Sequence, residues 1–122
     1  MKWEDINKKI NEDMKVGIQV PKTDGSYRLV TKIEGNKIQL RTGQITNAKK
    51  YVTKEMIKFA YDIIIPGDTF TSEKLKMNFP REYNQGSCVF SMTGGILELL
   101  GIAICIPNPS GRGYAYILKK SP

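Results

Sequence analysis

Gly95-Ile96-Leu97-Glu98-Leu99-Leu100-Gly101-Ile102-Ala103 is the stretch on which the reading of this chain turns. At Leu100-Gly101 the apolar spacing changes from helical to strand-like. Upstream, Ser87 to Leu100 reads as a helix, and Gly101 suits the left-handed residue that closes one. Downstream, Ile102 to Ile106 reads as a strand with no linker before it. Pro107-Asn108-Pro109-Ser110-Gly111-Arg112-Gly113 then forms a loop, and Tyr114 to Leu118 returns as a second strand. Gly94 and Gly95 each cost a helix about 1 kcal/mol relative to Ala. They mark either a place where another backbone approaches closely or a helix that begins later than Ser87.

Working back from Ser87, the loop Asn84-Gln85-Gly86 is preceded by a short helix. Thr71 caps that helix, and Phe70 is placed to reach Leu75 as a hydrophobic staple; Phe79-Pro80 ends it. Before it lies a longer helix, capped by Thr53 with Glu55 in its first turn. Met56, Phe59, Ala60, Ile63 and Ile64 form its buried stripe, and Pro66-Gly67 stops it. Residues 42–52 read as a connecting loop. Ahead of that loop the period is two. Val16, Ile18 and Val20 alternate, a turn follows over Pro21 to Gly25, and Tyr27, Leu29, Thr31 and Ile33 share the inner face of the next strand. Glu34-Gly35-Asn36 turns the chain, and Ile38 and Leu40 continue the inner face. Arg28, Lys32, Lys37 and Arg41 are thereby collected on the solvent side. Trp3, Ile6, Ile10 and Met14 recur at helical spacing, a narrow stripe that packs on the body of the protein or meets its copy in a homodimer. The whole reads as an α+β fold: an N-terminal helix and small antiparallel β-sheet over residues 1–50, then a helical unit with a two-stranded flap over 51–122, the two packed together.

The 122 residues are 40% apolar and 25% charged, the balance of a globular chain that folds without staples. Histidine is absent. That removes Ser-His and Cys-His nucleophilic catalysis, His-ligated zinc and the commonest general base near neutral pH. The two cysteines, Cys88 and Cys105, lack metal-site spacing and read as small buried thiols, with a disulfide between them unforced. No secretory signal or membrane span is visible, so a cytoplasmic location is expected. No cofactor is implied, and Asp13-Met14-Lys15, a fragment of a metal-dependent nuclease pattern, has no acidic strand partner. Ser87-Cys88 offers a nucleophile without an evident base. The net charge is +7. Residues 15–58 carry ten basic side chains against Asp24, Glu34 and Glu55. A polyanion is the natural partner for such a concentration.

The order helix, short helix, helix, strand, glycine-rich loop, strand over residues 53–118, with the Leu100-Gly101 junction, resembles the winged helix-turn-helix superfamily. The resemblance implies double-stranded DNA binding, with the third helix near the major groove and the loop Asn108 to Gly113 as the wing. It places Tyr83, Asn84, Gln85, Ser87, Ser91 and Arg112 at bases or in a groove, where Asn and Gln can pair with adenine and Arg with guanine. Arg28, Lys32, Lys37, Arg41, Lys49, Lys50, Lys54, Arg81 and Tyr114 would hold phosphates. That geometry requires the basic hairpin, the third helix and the wing to face one side. A transcription regulator, or the recognition module of a restriction or mobile-element system, fits it. The third helix carries no Lys or Arg, and Ser87, Ser91, Gly94 and Glu98 form its expected solvent face. Such a face also suits a protein partner, so a winged-helix interaction adapter is the alternative and a nuclease-associated domain a weaker one.

Overall fold

The protein was described from a computed structural model covering residues 2–41 and 48–119. Eleven elements are defined among these residues: α1 (Trp3–Asp13), β1 (Gln19–Pro21), β2 (Tyr27–Glu34), β3 (Lys37–Arg41), β4 (Lys49–Thr53), α2 (Lys54–Ile64), α3 (Ser72–Asn78), α4 (Pro80–Tyr83), α5 (Cys88–Leu99), β5 (Ala103–Pro107) and β6 (Tyr114–Leu118). The fold is α+β, with an antiparallel sheet in the order β1-β2-β3-β4 and a separate β5-β6 hairpin.

The helix boundaries follow the local chemistry. Thr53 Oγ1 accepts the Met56 amide at 3.2 Å and Thr71 Oγ1 accepts the Lys74 amide at 3.4 Å, so both caps act where the sequence places them. At the end of α5 the Ile102 amide donates to Leu97 O and the Gly101 amide to Glu98 O, with Gly101 at φ 79°. This is the paired closure that needs a left-handed residue, and it sends the chain straight into β5. Pro80 starts α4, which suits a residue with no amide hydrogen. Sequence spacing had ended the helical run at that proline. Phe70 exchanges both backbone hydrogen bonds with Tyr116, at 2.9 and 3.0 Å, adding a third short segment beside β6.

The main sheet departs from expectation at two places. Lys49–Thr53 is a strand paired with β3, where a loop was expected over 42–52; residues 42–47 lie outside the described ones. Within β2 the register shifts between Val30 and Lys32, a bulge at Thr31. A bulge adds one residue to one strand and reverses which side chains face inward. Ile33, opposite Ile38, has the inward phase expected of it. Before the bulge the inner positions are Arg28 and Val30, while Tyr27 is 58% exposed. The assignment of Tyr27, Leu29 and Thr31 to the inner face and of Arg28 to the solvent face is therefore corrected, and Ile33, though in inward phase, is 38% exposed.

One apolar core runs through both parts of the chain. It joins Ile6 and Ile10 of α1, Val20, Val30, Ile38, Leu40 and Val52 of the sheet, and Met92 and Ile96 of α5. Helix α1 lies against α2, with Trp3 and Tyr61 ring centroids 5.7 Å apart. Helix α5 is enclosed along its middle. A Cβ on Gly95 would lie 2.5 Å from the Pro21 carbonyl oxygen, and one on Gly94 would fall within the Tyr116 ring. The two glycines thus admit a strand on one side and an aromatic ring on the other. Among the described residues no helix is long and apolar enough to cross a membrane.

Candidate anion-binding cleft

Because its middle is enclosed, α5 offers only its ends to solvent, and its N-terminal end opens into a cleft of about 330 Å³. Three other parts of the chain complete the walls. Arg28 comes from β2, Tyr83 from α4, Arg112 and Gly113 from the loop between β5 and β6, and Tyr114 from the start of β6. Ser87, Cys88, Phe90 and Ser91 are the contribution of α5, with Thr23 and Ser72 at the margin. The first turn of α5 has no side-chain cap; its Val89 and Phe90 amides donate to Gly86 O and Ser87 O at 3.3 and 3.1 Å, and the helix contributes the positive end of its dipole to this side.

Arg28 is the unusual member. It is only 8% exposed, and among the described residues neither Nε nor Nη1 has a hydrogen-bond partner. Burial lowers its pKa from the ordinary value, partly opposed by Cys88, Tyr116 and Asp24, yet a guanidinium remains charged throughout the physiological range. The Asp24 carboxylate is turned toward its own loop. It accepts from Ser26 N at 3.0 Å and Ser26 Oγ at 2.6 Å, which hold its pKa below the usual value. No carboxylate lines the cleft among the described residues. Lys50, on the inner face of β4, lies alongside; its Nζ donates to Cys88 Sγ at 3.2 Å. Two guanidiniums, a helix N-terminus and a neighbouring ammonium make this a strongly electropositive recess.

Six of the residues singled out in the sequence converge here: Arg28, Tyr83, Ser87, Ser91, Arg112 and Tyr114. The others do not. The Gln85 amide accepts from Tyr51 N and donates to Tyr51 O, both at 2.9 Å, and so pairs with the open edge of β4 instead of facing a base. Asn84 is exposed outside the cleft, as is Arg81 on α4. Lys54 Nζ donates to Asn11 Oδ1 at 2.6 Å, tying α2 to α1. Lys32, Lys37, Arg41 and Lys49 have the strand register of the outer face, opposite the side that packs on α5. There Lys32 pairs with Glu34 at 2.9 Å and Lys37 stands 4.8 Å from the Tyr51 ring centre. The expectation that hairpin charges, third helix and wing face one side is thus corrected. The Gly94 position, assigned to a solvent face, is under Tyr116.

No protein-family model matches the chain, and neither does any curated protein or solved structure. The cleft must therefore be read on its own chemistry. Sequence reasoning missed Thr23, Ser72 and Phe90 as wall residues and read Cys88 as a small buried thiol, or a nucleophile without an evident base. Nothing in local spacing could have found Thr23 or Ser72, which reach the cleft only through tertiary packing. Cys88 and Cys105 are both free and half-buried.

Proposed function

We propose that this chain binds nucleic acid, gripping phosphate groups at the mouth of the α5 cleft. The observation that carries the reading is Arg28, a buried guanidinium with two donors unanswered inside an otherwise carboxylate-free recess. A buried donor without an acceptor is costly, and a ligand oxygen would relieve that cost. The succession α2, Phe70 segment, α3, α4, α5, β5, β6 supports a resemblance to winged-helix order with α4 as an added turn, and the resemblance reads the loop carrying Arg112 as the wing. DNA is accordingly the preferred polymer. The mode differs from insertion of a recognition helix. The middle of α5 is occupied by the protein's own sheet and hairpin, so phosphate contacts dominate over base contacts. The enclosed helix also lacks the free face on which the adapter reading relied.

A salt titration against random duplex tests the proposal. Log affinity should fall with log salt at a slope of about −3, from roughly three neutralised phosphates at about −0.9 each. Arg112→Gln or Lys50→Gln should flatten it by about 1. Lys32→Gln with Lys37→Gln should leave it unchanged. Absence of duplex binding at low salt, or a slope governed by the outer-face lysines, would refute the cleft as the interface.

A further inference from the structure

The cleft is narrower in purpose than a general phosphate rail. Arg28 lines it and is more than nine-tenths buried, and Arg112 lines it from the loop between β5 and β6. A phosphodiester has a sugar on each side and offers two free oxygens to a guanidinium that is 8% exposed. A phosphate with one ester bond offers three. It also carries about −1.5 to −2 charges at pH 7, against one for a diester. That charge is better matched to two arginines, the Lys50 ammonium and the α5 N-terminus. About 330 Å³ falls within the range of small-molecule sites, and Tyr83, Phe90 and Tyr114 supply aromatic surface for a base.

We infer that the cleft takes the phosphomonoester of a nucleotide, either at the end of a strand or free. Arg28 receives the phosphate, Ser87 offers its hydroxyl, and Arg112 meets the phosphate from the β5–β6 loop. The inference rests on reading this cleft as the phosphate grip, and deepens it by naming the group bound.

Three single-stranded oligonucleotides of one sequence, with a 5′-phosphate, a 3′-phosphate or hydroxyl ends only, should be compared by fluorescence anisotropy at fixed salt. One phosphorylated end should bind about tenfold tighter than the hydroxyl form, the factor a charge-assisted hydrogen bond supplies. Arg28→Gln should abolish that preference, whereas Lys37→Gln should keep it. In parallel, alkylation of Cys88 by iodoacetamide should slow with adenosine 5′-monophosphate and not with adenosine, with Cys105 as the internal reference. Both arms can be read on the unmutated protein, so a variant that fails to fold does not block the test. Equal binding of all three oligonucleotides together with unprotected Cys88 overturns the inference, and leaves nucleic-acid binding standing if the salt slope persists. Protection of Cys88 without oligonucleotide binding supports the inference in its free-nucleotide form and overturns the nucleic-acid reading.

Discussion

A guanidinium buried without an acceptor destabilises the chain that carries it, because desolvation of the charge is not repaid by a partner. Arg28 is in that position, between Tyr27 and Leu29 on a strand whose inner face is otherwise apolar. Arg28→Met fills similar volume without the charge, and should raise unfolding stability by roughly 1–3 kcal/mol while removing phosphate binding. Urea denaturation and anisotropy on the same preparation measure the two effects. A variant that is less stable and still binds would show that Arg28 is a packing residue and nothing more. The sequence could nominate Arg28 as basic, since charge is visible in composition. It could not place it, because the bulge at Thr31 reverses the phase of β2 and leaves no mark in residue type. Gln85 was nominated for the right reason, a bifunctional amide near a helix, but its partners are the Tyr51 backbone groups on an edge strand. The same two-point chemistry that reads adenine serves equally to extend a sheet.

At the scale of elements, α5 shows how much a helix's own residues can disclose. The penalty of two adjacent glycines left close approach or a later helix start open; the helix begins at Cys88, and the approaching groups are Pro21 of β1 and Tyr116 of β6. Replacing either glycine with Ala gains about 1 kcal/mol of helix propensity, against an overpacking cost of about 1–3 kcal/mol or more. The cost should win at both. At Gly95 the obstacle is a backbone oxygen 2.5 Å away, which cannot rotate aside. At Gly94 it is the ring of a buried tyrosine. Gly94→Ala and Gly95→Ala should each lower the thermal midpoint by several degrees; an increase would mean that the sheet or hairpin can retreat from α5. Caps and stops were legible because each depends on one or two residues: Thr53, Thr71, Gly101 and Pro66-Gly67 all act where they stand in the sequence. Strand β4 was not, since Lys49-Lys50-Tyr51 carries no alternation, and its pairing is dictated by β3.

For the whole molecule, the division at residue 50 is a division of sequence pattern and not of packing. Val20, Val30, Ile38 and Leu40 lie in the same apolar cluster as Met56, Met92 and Ile96, so neither part keeps its buried surface without the other. Chains whose halves share a core lose them together, since opening one side exposes the apolar face of the other. The single tryptophan makes this measurable. Trp3 belongs to α1 and reports on the N-terminal part through its packing on Tyr61 of α2, whereas far-ultraviolet circular dichroism is weighted toward α2 and α5. Denaturation followed by the two signals should give coincident midpoints and a single slope. Trp3 emission changing at lower denaturant than the helical signal would mean that α1 detaches before the shared core opens. Coincidence has a consequence for the cleft as well. Arg28 comes from one half and Ser87 and Arg112 from the other, so the recess exists only while the shared core is intact, and bound phosphate should raise both midpoints by the same increment.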